Sequence, residues 1–240
     1  MIQPLGLYRR FTSRIDGTTP ILVLISLGRS RNRKTGSCIQ VSVVCESPAP
    51  HHATKSGADF AVCGNCKYRP LEPPEPGTKK RYCYVQVAQA PRSQWDAYQR
   101  GKYEPLDFAR HRVLLSGVIR ATAYGDPTAV PIKFWRELMS CAAGFTAYTH
   151  GWRTNPDYRD IFVASVDSPE EAREASALGW RYFRVRAHVD EPLASGEVIC
   201  PADSAVQQRT QCVFCQLCRG GRKGRNPVVV LHGPRNRNAA

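Results

Sequence analysis

The chain has no hydrophobic run long enough to cross a membrane. Its most apolar stretch, Ile21 to Leu27, covers seven residues, far short of the roughly 20 that a spanning helix needs. No small-residue cleavage site follows it, so the expectation is a protein that is neither inserted nor exported. Acidic residues are scarce as well: 20 Asp and Glu stand against 34 Lys and Arg, a net charge of +14. That imbalance makes a polyanion, nucleic acid or a nucleotide, a reasonable partner. The same composition, rich in Arg, Ala, Gly and Pro, also follows from a GC-rich coding sequence, so charge alone does not decide the matter.

Cysteine is what the chain has in plenty, ten in 240 residues. In a short secreted chain ten thiols would suggest a disulfide scaffold, but this chain is long and its thiols cluster as C-x2-C pairs, which favours a reducing cytoplasm and a metal. The densest group is Cys200, Cys212, Cys215 and Cys218, with His232 beyond it. Thiols two residues apart converge on one point and suit a metal better than a core. An iron-sulfur cluster of the 4Fe-4S type uses such a run with a further Cys followed by Pro, as Cys200 is by Pro201. Zinc is equally content with four thiolates, or with three and His232. Four ligands fill a site, so this group reads as structural.

A second group is Cys63-Gly64-Asn65-Cys66 with Cys83. Gly64 and Asn65 suit the tight turn of a chelating knuckle. A fourth ligand is available from Cys45, His51 or His52, although each His is more often a surface side chain. With only three sure thiols, this site keeps a position for substrate or cofactor and reads as the reactive one.

Taken in order, residues 1–20 have no apolar period and read as a loose lead-in, residues 21–233 as one barrel-like metal-binding domain, and 234–240 as a flexible tail. Ile21–Leu27 and Cys38–Val44 read as a hairpin whose basic turn, with Arg33 and Lys34, suits phosphates. Cys45 to Arg81 reads as a long loop. Helices are expected at Pro91–Arg100, at Pro131–Ala143, and after Ser168, where Pro169, Glu170 and Glu171 form a capping-box start. Strands are expected at 113–124, 145–149, 161–166, 181–186, 197–199 and 228–231. Strands alternating with helices imply parallel units, hence an α/β fold, a small or incomplete (β/α) barrel with two cysteine metal-binding loops. Six strand runs end in a residue able to do chemistry: Cys45, Asp126, His150, Asp167, Cys200 and His232. In parallel α/β folds those ends open onto one active face, so Asp126, His150 and Asp167 are candidate catalytic residues. The plainer reading of each aspartate is a helix cap or turn former.

Cys63, Cys66 and Cys83, with Tyr84 after the last, resemble the cluster loop of radical S-adenosylmethionine enzymes, although sixteen residues separate Cys66 from Cys83 where that motif is compact. The resemblance implies a partial (β/α) barrel, a 4Fe-4S cluster on three thiols and S-adenosylmethionine at the open iron. The order of landmarks, through Gly125-Asp126-Pro127, Tyr148-Thr149-His150 and Cys200-Pro201 to Gly233, also resembles a family of uncharacterised tailed-phage proteins, which implies a phage source and an intracellular setting. A third resemblance is to guanine transglycosylases, zinc-bearing barrels, and would make Asp126 and Asp167 nucleophile and acid/base and Cys212, Cys215, Cys218 and His232 the zinc ligands. The non-enzymatic alternative is a pair of zinc knuckles on a basic nucleic-acid-binding scaffold.

Overall fold

A computed structural model describes residues 4–28, 30, 32–69, 83–203, 208–221 and 223–231. In chain order its strands are β1 (Gly6–Thr12), β2 (Pro20–Ser26), β3 (Ile39–Cys45), β4 (Tyr103–Pro105), β5 (Val118–Tyr124), β6 (Gly144–Thr146), β7 (Tyr148–Thr149), β8 (Val163–Val166), β9 (Tyr182–Arg186), β10 (Glu197–Ile199) and β11 (Asn226–Val230). Its helices are α1 (Pro50–Ser56), α2 (Phe60–Cys63), α3 (Ala90–Gln99), α4 (Phe108–His111), α5 (Ile132–Cys141), α6 (Pro169–Ala177) and α7 (Cys212–Cys215). Among the described residues no helix is long and apolar enough to cross a membrane.

The strands form two sheets, ordered β4-β1-β2-β3-β5-β6 and β10-β11-β9-β8-β7. β2 carries Ile21 to Ile25 with every side chain buried, because β1 and β3 flank it antiparallel and both its faces are covered. The expected hairpin is therefore present. The expected loose lead-in is not: residues 6–12 are β1, paired with β2 over its whole length and with β4 beyond. Its adjacent, exposed Arg9 and Arg10 follow a buried Leu7 and break the alternation, which hides the strand from an apolar count. The expected long loop is likewise interrupted by α1 and α2, too short to show a helical period. The two helices that flank the later strands lie where the sequence places them. α5 buries Phe134, Trp135, Leu138 and Met139. In α6 the Ser168 hydroxyl accepts the Glu171 amide, and the Glu171 carboxylate accepts the Asp167 amide.

From β3 onward the pairing is parallel, β3 to β5 to β6 in one sheet and β7 to β8 to β9 to β11 to β10 in the other. β6 and β7 are one stretch of chain broken only at Ala147. There the Ala147 N–H donates to the Cys218 carbonyl at 2.6 Å, while its own carbonyl accepts from Val163. The late cysteine loop thus occupies the backbone donor that would have continued the ladder. The same loop meets the segment before β3: the amides of Cys212 and Val213 donate to the carbonyls of Lys34 and Thr35 at 2.9 and 3.2 Å. The fold is mixed α/β, and no ladder closes a barrel among the described residues. Loop-to-loop bonds span the gap instead, and strands of both sheets line one cavity.

β9 shows the expected alternation, with Tyr182, Arg184 and Arg186 buried on one face and Phe183 and Val185 turned to the cavity. Arg184 is buried there because Glu197 of β10 meets it at 2.7 and 2.8 Å, both side chains essentially without solvent. Glu191 and the Pro192 carbonyl take more of its donors. Burial opposes ionisation of Glu197, but the Arg184 guanidinium and the Ala194 amide outweigh it and hold the carboxyl below its ordinary range. Glu197→Ala leaves a buried guanidinium short of its partner and should cost about 3–5 kcal/mol in denaturant unfolding. The depressed pKa fixes the sign with pH: the stabilisation is full above the unfolded value and is lost as pH falls through the folded one. Melting curves taken on acidification should therefore drop for the wild type and change less for Glu197→Gln.

Candidate metal centre and the cavity beside it

The early cysteines sit at the C-terminal ends of the first sheet's parallel strands. The chain leaves β3, forms α1 and α2, and presents Cys63 at the last turn of α2. The Cys66 amide donates to the Cys63 carbonyl at 3.3 Å and the Arg69 amide to the Cys66 carbonyl at 3.0 Å, so two tight turns carry the knuckle. Arg69 locks it: its guanidinium reaches Asp59 at 2.8 Å and the Gly57 carbonyl at 3.0 Å. Cys83 joins from the far side of the intervening segment, its amide donating to the Tyr68 carbonyl at 3.0 Å. Cys63, Cys66 and Cys83, with Tyr84, Asp126 and His150, line a cavity of about 80 Å³.

β5 supplies the opposite wall through an irregularity. Opposite β3 its register slips between Gln40 and Ser42, and Thr122 takes φ +54°, so the strand bulges beside the thiols. Gly125 follows at φ +81°, where a Cβ would stand 2.5 Å from the Val43 carbonyl; only glycine lets β5 end this close to β3.

The two aspartates are both present at this face, but in roles that the sequence does not separate. Asp126 is buried and fully engaged. One oxygen accepts the Thr128 amide and the Thr128 and Thr149 hydroxyls at 3.0, 2.7 and 2.8 Å. The other accepts the His150 amide at 2.7 Å. Its own amide donates to Val62. It is the cap of the turn at Pro127–Ala129 and a brace between the cysteine loop and His150, so the candidate acid/base role gives way to positioning. Asp167 does not cap α6, since Ser168 does. It accepts the Tyr68 hydroxyl at 2.6 Å and pairs with Lys67 at 3.2 Å, gripping the residues next to Cys66.

His150 is the candidate whose side chain reaches the thiols. Its Nε2 lies 3.9 Å from Cys66 Sγ and its Nδ1 3.9 Å from Asp126. Burial works against its charge, but Cys66, Asp126 and Asp167 outweigh it and push its pKa up to about 9. Cys45, the expected fourth ligand, is elsewhere: its thiol donates to the Ala58 carbonyl within the core, and burial with the nearby Asp59 raises it to about 12. The rings of His51 and His52 meet at a 40° tilt on α1 beside Arg92 and Lys55, outside the cavity. The residue that takes their place, His150, was legible as a strand end but not as a partner of Cys66, because the contact spans 84 residues.

The late cysteines gather where the end of β10 meets the segment before β3 and the β6–β7 stretch. α7 is a single turn holding Cys212 and Cys215, closed by Gln216 in the left-handed region at φ 49°. Gly144, which opens β6, leaves room for this loop, since a Cβ there would stand 2.0 Å from Gln216 Oε1. Cys200 and Cys218 complete the group. Burial first, then the charges of Cys200, Cys212 and Cys215, raise Cys218 well above a normal thiol. His232 lies outside the described residues, as do the 234–240 tail, Arg29 and Arg31.

Among the described residues no three His, Cys, Asp or Glu side chains are grouped so as to hold a metal ion. The donor sets nevertheless suit a thiophilic cation. In each group buried thiols raise one another's pKa, a penalty that a bound cation reverses by taking them as thiolates. All ten cysteines are free thiols. Comparison with protein-family models, with curated proteins and with solved structures finds no match.

The bonding of Asp126 predicts its mutant. In Asp126→Asn an NH₂ must face either the His150 amide or the cluster of Thr donors, leaving buried groups unmatched. A loss of about 1–3 kcal/mol is expected on denaturant titration. A change within about 0.5 kcal/mol would show that the carboxylate is not needed as a brace.

Proposed function

We propose that this is a metalloenzyme whose reactive centre is held by Cys63, Cys66 and Cys83, with an iron-sulfur cluster as its metal and a nucleotide or nucleic acid as its substrate. The observation that carries the reading is that Cys63, Cys66 and Cys83 line one cavity with His150, which approaches Cys66, beside the C-terminal ends of β5 and β7. When bound by three thiolates, a 4Fe-4S cluster supplies one-electron chemistry and an iron left open to a further ligand, including S-adenosylmethionine in the manner of the enzymes this loop resembles. The chain's own residues do the rest. Asp59 with Arg69, and Asp167 with Lys67 and Tyr68, fix the thiol loop. Asp126 holds the His150 backbone, so that the imidazole stands beside Cys66 ready to donate a proton or orient a ligand.

Cys200, Cys212, Cys215 and Cys218 form the second, structural site, with all positions taken by the chain. A phage source and the reducing cytoplasm of a bacterial host accord with two sets of free thiols.

A second reading is favoured by the 3.9 Å approach of His150 to Cys66: the early site is Cys3His zinc, and the protein a zinc-bearing nucleic-acid binder or base-exchange enzyme. In the base-exchange version Asp126 and Asp167 would have to act as nucleophile and acid, which their engagement with Thr128, Thr149, Tyr68 and Lys67 opposes.

Anaerobic purification with an absorbance spectrum and iron, zinc and sulfide analysis separates the readings. Iron with acid-labile sulfide, lost in part in Cys66→Ser without unfolding, is the expected result. Cys215→Ser should instead unfold the protein or render it insoluble. Zinc alone would select the second reading, and protein that binds neither metal would overturn both.

A further inference from the structure

Beyond the thiol centre lies a larger cavity of about 220 Å³, enclosed by strands of both sheets and by the loop contacts that bridge them. It shares Tyr68, Tyr84, Tyr148 and His150 with the smaller cavity, so the two adjoin. Its lining has a marked charge asymmetry. Arg120 of β5 and Lys34 of the segment before β3 face it, and among the described residues no Asp or Glu lines it.

Arg120 is the telling group. A guanidinium cannot shed its proton, and Arg120 stands half-buried in the cavity wall with no carboxylate beside it. The contacts it has are neutral and long: Gln40 Oε1 at 3.3 Å, the Tyr84 hydroxyl at 3.4 Å and the Tyr148 hydroxyl at 3.5 Å. Arg184, on β9 of the other sheet, shows what this chain does with an arginine that it neutralises internally, namely a two-bond carboxylate at 2.7 and 2.8 Å. The planar fork of Arg120 is thus left available to a bidentate anion. On the same wall Tyr148 and Phe183 stack at 5.4 Å with their planes 14° apart, a surface on which a further flat ring can lie.

From these features we infer that the cavity binds a nucleotide, its phosphate held by Arg120 and Lys34 and its base stacked on the Tyr148 and Phe183 rings. This names the substrate class of the centre proposed above, and it rests on that reading only for placing a reactive metal next to the ligand. The rival use of Arg120 and Lys34 is as counter-charges for the thiolates of Cys212 and Cys218, which line the same cavity. The two uses differ in what the arginine's loss removes.

The test is calorimetric titration of the protein as purified, metal retained, with the four common nucleoside monophosphates, their nucleosides and inorganic phosphate, and with metal content measured on each sample. At least one monophosphate should bind, and its nucleoside should bind about tenfold or more weaker. Arg120→Gln should weaken the monophosphate by a like factor with metal content unchanged, and Arg120→Lys should recover only part of it. Phe183→Leu should weaken nucleoside and monophosphate alike. Arg120 variants that bind the monophosphate as the wild type does would overturn the inference, as would the absence of binding by any monophosphate at about 1 mM. So would loss of metal from Arg120→Gln with nucleotide affinity intact, which assigns the arginine to the thiolates. Metal content and nucleotide binding are separate readouts, so failure of the metal reading leaves its own mark.

Discussion

Much of this structure depends on where the late cysteine loop puts its backbone. The Cys218 carbonyl takes the Ala147 amide, and the Cys212 amide gives to Lys34. One bond interrupts the strand that would have joined the two sheets in a single ladder, and the other ties the far side of the second sheet to the entrance of the first. Between these ties the sheets enclose a space that side chains do not fill. A fully laddered small barrel packs its interior with layers of side chains; here the ladder's gap is traded for a cavity, and the thiols of Cys200, Cys212 and Cys218 form part of its wall. The loop that makes the cavity is therefore also the loop that carries the proposed structural site. On this account the structural site acts on function at a distance, by keeping the sheets apart and together at once.

Around the early thiols the same economy is visible in carboxylates. Asp59, Asp126 and Asp167 all lie around the early thiols, and every one is engaged by Arg69, Thr128, Thr149, Tyr68, Lys67 or the His150 amide. Anions that grip cations and hydroxyls of the loop give it a fixed shape while keeping their own charge from competing for the metal. His150 is left as the ionisable side chain in contact with an early thiol, the group to which the proposed centre assigns proton movement.

How much of this was legible in the sequence varies with the kind of signal. The parallel α/β layout, the hairpin of β2 and β3, and the capped α6 follow from apolar alternation and cap chemistry that act over a few residues. The strand ends mark His150 and Asp126, which line the cavity of the early thiols, and Asp167, which instead grips Tyr68 and Lys67. What local pattern hides is which atoms meet. β1 was missed because its arginines mask the period. Cys45 reads as a ligand by position, yet its thiol turns into the core. Asp126 reads as an acid, yet its four donors come from Thr128, Thr149 and His150, none of which a spacing rule connects to it. Arg120 passed unnoticed as one polar residue in a strand, although a charge inside an otherwise apolar parallel strand is itself a signal. Lys34 was noticed as a phosphate-holding residue of a basic turn, but nothing local places it in a cavity with Arg120.

The central claim is that the two cysteine groups each hold a metal, the early one with three thiolates. X-ray absorption at the iron and zinc edges of anaerobically purified protein tests it directly. The account predicts a first shell dominated by sulfur, at about 2.3 Å for any zinc present, with iron-iron scattering from the early site that disappears in Cys63→Ser. A first shell of oxygen and nitrogen alone, or a spectrum that Cys63→Ser leaves unchanged, would contradict it.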